Sequence, residues 1–586
     1  MKHFISRRNF LKAAGVTAAA SAMAAAVPQA SAGFLTGKDA AVTILYTNDV
    51  HTYIDNKSPK LTYAAIAAMK QGYVDEGKPV LLVDAGDHIQ GTAYGSMDDG
   101  ATIIELMNEA GYDIATLGNH EFDYGMARAK AIIKEADFPY VSCNWVDLRT
   151  GLRVLPAVKL FPAGGKWIAF VGITTPESFT KSTPAYFMNA KQTKYIYDIL
   201  GGDDGRKLYD AVQKAIDKAK TLGADIIIGL GHLGVDPSSS PWTSKEVIEH
   251  TSGFDAFIDG HSHTKMECEW VKDLSGKAVA LTQTGSYFAN VGEMTIKADG
   301  SIATRLISSY EGSDSAVADI QNAWVASVDD MLGEKIAVAD TNFYISDPET
   351  GKRRIRMAET NLGDFVADGI YTYFNEVEKL HCDVAIMNGG GIRADVPAGD
   401  WTFKTCKQVS PFGNVACLMS VTGKQIQDAL EFGARFVGPE GKENGGFLHV
   451  AGATYEIHTD IPNTVLTDDK NVWMGSATGT PRVQNVRIYN KKTGTYEPLD
   501  LNRTYALAGM NYTLRNLGDG FAMFDGAELI KDYVSEDYLV MSTYAMIFDA
   551  VNDVPVLSSA NSPLASYPGY LLNYENPYGA GRIQVV

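Results

Sequence analysis

Ile44-Leu45-Tyr46-Thr47-Asn48-Asp49-Val50-His51 runs as a short apolar strand and stops on two side chains that bind metals. The same figure recurs four times. Val80-Leu81-Leu82-Val83 leads into Asp84 and Asp87, Ile114-Ala115-Thr116-Leu117 into Asn119 and His120, Ile226-Ile227-Ile228-Gly229 into His232, and Ala256-Phe257-Ile258 into Asp259, His261 and His263. In parallel α/β sheets, ligands bind beyond the carboxyl ends of the strands, so five such endings predict convergence on one cage. Five of the 11 histidines sit at these endings. That bias points to metal rather than to packing.

Counting donors predicts two ions. Asp49, His51, Asp87 and His263 can surround one; Asp87, Asn119, His232 and His261 the other, with Asp87 shared. Mixed nitrogen and oxygen donors without thiolate favour Mn²⁺, Zn²⁺, Fe²⁺ or Co²⁺ over Ca²⁺ or Cu⁺. Two such ions ~3.5–4 Å apart prepare hydroxide for in-line attack on phosphorus and clamp a phosphoryl oxygen. His120 is left without a metal, free to donate to the phosphoryl or leaving-group oxygen, with Asp123 three residues on to orient it. Gly229-Leu230-Gly231-His232-Leu233-Gly234 also satisfies G-x-G-x-x-G after a strand. A dinucleotide site needs a helix to begin there, and the Pro- and Ser-rich run 235–241 predicts a loop, which excludes it.

A chain of 586 residues exceeds one core and predicts at least two domains. The first segment is a leader. Ser6-Arg7-Arg8-Asn9-Phe10-Leu11-Lys12 opens a mildly apolar run that ends at Ala30-Ser31-Ala32, as a twin-arginine signal cleaved after Ala32 would. Residues 1–32 are therefore assigned to the signal, and the twin-arginine export machinery becomes an expected partner. Its removal takes away four positive charges, Lys2, Arg7, Arg8 and Lys12, and moves the net charge from -19 to -23. Such acidity argues against nucleic-acid polymers as partners. No later run reaches the ~18 apolar residues of a membrane span. The chain ends at Gly581-Arg582-Ile583-Gln584-Val585-Val586 without a hydrophobic tail, so no anchor is expected in the mature form, which would be periplasmic or extracellular. None of the five cysteines forms a C-x-x-C pair, which argues against a zinc ribbon or thioredoxin site.

Strand and helix alternate over 40–312, the expected metal-binding domain. Val317, Ile320, Trp324, Val328 and Met331 share one helical face, and the region 313–340 is expected to link the domains. Residues 341–586 form the second α/β unit. There Asn388-Gly389-Gly390-Gly391-Ile392-Arg393 offers a backbone turn open to an anion, then a guanidinium that grips phosphate or carboxylate. Arg356 supplies a second cation. Phe412 with Asn414, and Tyr512 with Asp519, offer rings for stacking a base and polar groups for its edge and ribose.

These motifs resemble the calcineurin-like metallophosphoesterases, and with the second half the 5'-nucleotidase/UDP-sugar hydrolase family, over nearly the whole mature chain. The resemblance implies an α/β metallophosphoesterase domain, a connecting helix and an α/β nucleotide-specificity domain. It implies a dimetal centre at Asp49, His51, Asp87, Asn119, His232, His261 and His263, and a catalytic dyad of His120 and Asp123. Nucleotide contacts would come from Arg356, Asn388, Arg393, Phe412, Asn414 and Asp519, with Tyr512 completing the stack. Two departures stand out: some members carry glutamine at the position of His263, and Leu517 stands where glycine is common, in a segment one residue longer than usual. The implied activity is hydrolysis of nucleoside 5'-phosphates. UDP-sugar hydrolysis, 2',3'-cyclic-nucleotide phosphodiesterase activity, or a nucleotide-binding receptor without chemistry are the rival expectations.

Overall fold

The computed structural model describes residues 41–55, 61–189, 191, 193–438, 442–531 and 534–586. The expected leader lies outside them.

The first half is built on two main sheets and a smaller three-stranded one. The first orders its strands Ile302–Ile307, Val291–Ile296, Val42–Thr47, Val80–Asp84 and Ile114–Ala115. The second orders Lys265–Lys272, Ala278–Thr284, Ala256–Ile258, Ile226–His232, Lys166–Thr174 and Val158–Ala163. Within each, the strands that lead to metal-binding residues run parallel, which sends their carboxyl ends to a common rim. Side chains alternate across a strand. Ile44 and Tyr46 join Phe170, Ile228 and Ile258 in a core between the sheets, while Leu45 and Leu82 join the core beneath the helices of the first sheet. Burial of both faces explains why these strands read as unbroken apolar runs. Tyr46 Oη and Thr282 Oγ1, 2.6 Å apart, tie one sheet to the other.

The spacing of Leu208, Val212, Ile216, Ala219 and Leu222 predicts one helical face closing at Gly223. The helix Arg206–Thr221 buries the first four against the second sheet and leaves Leu222, its C-cap, exposed. The helix Ser315–Leu332 is capped by Asp314, whose carboxylate accepts from the Ala316 and Val317 amides, and ends at Gly333. It packs Val317, Val328 and Leu332 into the first sheet's outer core. The strand Lys335–Ala339, inside the stretch expected to link the domains, already pairs with Gly399–Thr402 and Val554–Leu557 of the second half.

That second half centres on a five-stranded sheet: Leu448–Ala451, Val384–Asn388, Thr504–Met510, Ala416–Thr422 and Glu528–Lys531. The five cysteines are all free, and Cys406 Sγ accepts from Trp401 Nε1 at 3.0 Å. Arg582, fully buried, donates to Asp368 Oδ2 at 2.8 Å and to the Val450 and Leu571 carbonyls. Tyr570 and Tyr574 donate to the same Asp368 carboxylate. Glu359 receives the backbone N–H groups of Arg582 and Ile583, which fixes the last strand, Ile583–Val585. Removing one partner of such a buried pair strands the other charge in the interior. Arg582→Leu is expected to destabilise the domain by about 3–5 kcal/mol. On calorimetry that would read as a transition lower by roughly 10 °C, and an unchanged transition would refute the assignment.

Candidate active site

The two sheets bring the five sequence-predicted strand endings to one rim. Asp49, His51, Asp87, His261 and His263 all hold positive φ, between 49° and 77°. Non-glycine residues are strained in that region, and such strain gathers at functional sites. Gly86 leaves the close approach that strain requires, since a Cβ there would meet the Gly118 backbone nitrogen at 2.4 Å.

Donor atoms of Asp49, His51 and His263 lie within 4.8 Å of one another, as do those of Asp87, His232 and His261. The residues fit a pair of cations. His51 gives its Nδ1 proton to the Gln90 carbonyl at 2.8 Å and His232 gives its own to the Ala85 carbonyl at 2.7 Å, so each turns an Nε2 lone pair inwards. His51 Nε2 then faces His263 Nε2 at 3.1 Å, an approach that a cation satisfies. His232 Nε2 is 3.0 Å from Asp87 Oδ2 without hydrogen-bond alignment. Asn119 Oδ1 is buried and has no hydrogen-bond partner. His51 and His232 Nε2 each lie within 3.8 Å of both the Asp49 and the Asp87 carboxylate. Burial pushes the His263 pKa well down, and Arg353, Arg393 and Arg356 add to the effect, so the ring is neutral and able to ligate.

His120 lies beside this cluster. Its Nδ1 is 2.5 Å from Asp123 Oδ2, and its backbone N–H donates to Asp87 Oδ1 at 2.8 Å. Burial lowers the His120 pKa, but the carboxylates of Asp123 and Asp87 outweigh it and leave the pKa raised. A donor atom of His120 also falls within 4.8 Å of those of His51 and Asp87, so the Asp123 contact is what sets this ring apart.

The specificity half closes over the rim. One cleft, with about 210 Å³ of room for water-sized molecules, is lined by Asp87, Asn119, His120, His261 and His263 from the first half and by Arg356, Asn388, Arg393, Phe412, Asn414, Tyr512 and Asp519 from the second. The Phe412 ring centroid is 5.9 Å from that of His120, with the Arg393 guanidinium 5.7 Å from the Phe412 centroid. Burial, then repulsion from Arg353 and Arg393, pulls the Arg356 pKa down to about 9, crowding that an anion would relieve. Asp519 accepts from Asn388 Nδ2 at 2.9 Å. Tyr512 lays its ring over Gly518 and donates from its hydroxyl to the Thr180 carbonyl of the first half at 2.7 Å, while accepting from the Asp519 amide at 3.1 Å. No ring contact joins Tyr512 to Phe412 among the described residues. Leu517 sits at φ 59°, the left-handed conformation that glycine adopts without strain.

Glycines 229 and 231 have a packing role. A Cβ at either would meet the Phe257 ring at 2.4 and 2.6 Å, and no helix follows directly on the strand Ile226–His232.

Several contributors escaped the sequence reading. Asn48 donates to Asp49 Oδ2 at 2.7 Å and accepts from Thr284 across the sheets. Glu121 takes the amides of Asp87, His88 and Gly118 and so shapes two of the ligand loops. Glu177 accepts from His261 Nε2 at 2.8 Å and from Ser239 Oγ at 2.6 Å. A signal for Glu177 existed: Ile168-Ala169-Phe170-Val171-Gly172-Ile173 is a sixth apolar strand, and the acid lies four residues beyond it.

Comparison with known proteins finds matches to three family models. The family model for calcineurin-like phosphoesterases matches residues 42–265, that for the 5'-nucleotidase C-terminal domain matches 335–526, and that for twin-arginine signal sequences matches 5–24. The last places the protein on that export route, to the periplasm or the extracellular space. No helix among the described residues is long and apolar enough to cross a membrane. The 5'-nucleotidase of Rattus norvegicus is 27% identical over 591 residues, covering 92% of this chain and 94% of the relative. That of Vibrio vulnificus is 24% identical over 557 residues, covering 85% and 90%. The crystal structure of a 5'-nucleotidase precursor from Thermus thermophilus shares the fold, with a TM-score of 0.73 and 24% identity over 93% of this chain and 99% of that one. A phosphoesterase half and a nucleotidase half, matched in this order along one chain, make it a member of the calcineurin-like metallophosphoesterases with a 5'-nucleotidase C-terminal domain.

Proposed function

We propose that the protein is an exported 5'-nucleotidase that hydrolyses nucleoside 5'-phosphates to nucleoside and inorganic phosphate at a centre of two divalent metal ions. The observation that carries this reading is the meeting of His120 with Phe412: the general donor of one domain lies against the base-binding ring of the other, in one cleft. Asp49, His51, Asp87 and His263 would hold one ion, and Asp87, Asn119, His232 and His261 the other. When bound, the ions lower the pKa of water and neutralise phosphoryl charge.

The chain's own groups do the rest. Phe412 and Tyr512 flank the base, Asn414 reads its edge and Asp519 takes ribose hydroxyls. Arg356 and Arg393 hold the phosphate as charge-assisted donors. Asp123 holds the Nδ1 side of His120, which leaves Nε2 to donate to the phosphoryl or leaving oxygen as charge develops there. Phosphate release from AMP, nucleotide sugars and 2',3'-cyclic nucleotides, with and without chelator, tests the reading. AMP turnover abolished by chelator and restored by Mn²⁺ or Zn²⁺ is expected; preference for a sugar or cyclic substrate would overturn the assignment.

Base stacking contributes ~1–3 kcal/mol per base. Phe412→Ala is therefore expected to lower kcat/KM for AMP by roughly 10–100-fold, and to leave p-nitrophenyl phosphate, which lacks base and ribose, within about twofold. Equal losses on both substrates would remove the base-binding role.

A further inference from the structure

We propose that Glu177 is a positioning residue for the second metal site: its carboxylate keeps the proton of His261 on Nε2 and so presents Nδ1 to the ion. This rests on the two-ion reading above.

The strand Lys166–Thr174 runs parallel to Ile226–His232, with Thr174 opposite His232, so its carboxyl end opens on the same rim. The chain just beyond it brings Glu177 to His261. Glu177 is buried, only 5% exposed, and one oxygen, Oε2, accepts both from His261 Nε2 at 2.8 Å and from Ser239 Oγ at 2.6 Å. Among the described residues, His261 is otherwise hydrogen-bonded through its main chain, whose N–H donates to the Asp49 carboxylate at 3.0 Å. Glu177 is the hydrogen-bond partner of the ring among the described residues, so this carboxylate is what decides which ring nitrogen keeps the proton. His51 and His232 find such a partner in backbone carbonyls; His261 alone of the three uses a side chain. Histidine ligands depend on such partners, and losing one typically weakens metal binding by about 10–100-fold.

The test uses full-length processed protein, Mn²⁺ alone, and two variants, Glu177→Ala and Glu177→Gln. Bound Mn²⁺ is counted by equilibrium dialysis, and electron paramagnetic resonance separates coupled pairs of ions from single ones. The wild type is expected to take two ions with a coupled spectrum. The variants are expected to keep one ion tightly and to bind the second ~10-fold (Gln) to ~100-fold (Ala) more weakly, with a spectrum dominated by single ions. Selective loss of one ion is a result that general destabilisation would not give. If Glu177→Ala does not fold, the isosteric Gln variant decides. Two ions bound by a variant at wild-type affinity would overturn the role of Glu177 while leaving the two-ion centre intact. A wild type that takes one ion or none would remove the centre itself, and the proposal with it.

Discussion

Asp87→Asn is expected to lower kcat for phosphate release from AMP by about 10³-fold, the largest single effect of any substitution at the rim. Asp87 stands between the two donor sets: Oδ2 lies 3.0 Å from His232 Nε2 and 3.8 Å from His51 Nε2. Asparagine keeps the shape and can keep the bond from the His120 amide to Oδ1. What it removes is the negative charge that the two proposed cations would share. Ions at such a centre supply several kcal/mol of transition-state stabilisation, and about 4 kcal/mol corresponds to ~10³ in rate. Steady-state kinetics with metal analysis of the same sample checks this. A variant that turns over AMP at the wild-type rate with two ions bound would show that Asp87 bridges nothing.

His120→Ala is expected to lower kcat by ~10²–10³, the range measured when one preorganised transition-state donor is removed. Here the metal content should stay unchanged. That point separates two roles, because a donor atom of His120 is near enough to His51 and Asp87 to reach an ion. Loss of an ion together with rate would make His120 a ligand; loss of rate alone makes it the donor that Asp123 orients. An unaltered rate would exclude both.

The parts of the site legible in the sequence were those written locally. An apolar run ending on Asp49 and His51, or on His261 and His263, carries both strand and chemistry within about ten residues. The helix 206–221 was equally plain from its spacing. Which strands share a sheet was not, because alternation reports that two faces are buried but not which neighbour buries them. Hence one rim was foreseen where two sheets contribute to it. Asn48, Glu121 and Glu177 stayed hidden for the same reason: each acts on a ligand or ligand loop through a contact made only by folding, and Glu177 reaches His261 across 84 positions. Tyr512 was recognisable as an aromatic at the specificity pocket. Its hydroxyl bond to Thr180 joins the two halves, and nothing near Tyr512 in sequence announces it. Leu517 was visible as a departure from glycine, and its positive φ gives that departure a physical meaning.

The left-handed backbone at Asp49, His51, Asp87, His261 and His263 has a consequence for anyone seeking a hardier catalyst. Each such residue stores on the order of 1–3 kcal/mol that glycine would release. A screen scored on heat resistance alone would therefore be drawn to the very positions proposed to hold the ions. Selection for durability at this rim runs directly against selection for speed, and the gains must be sought in the scaffold instead.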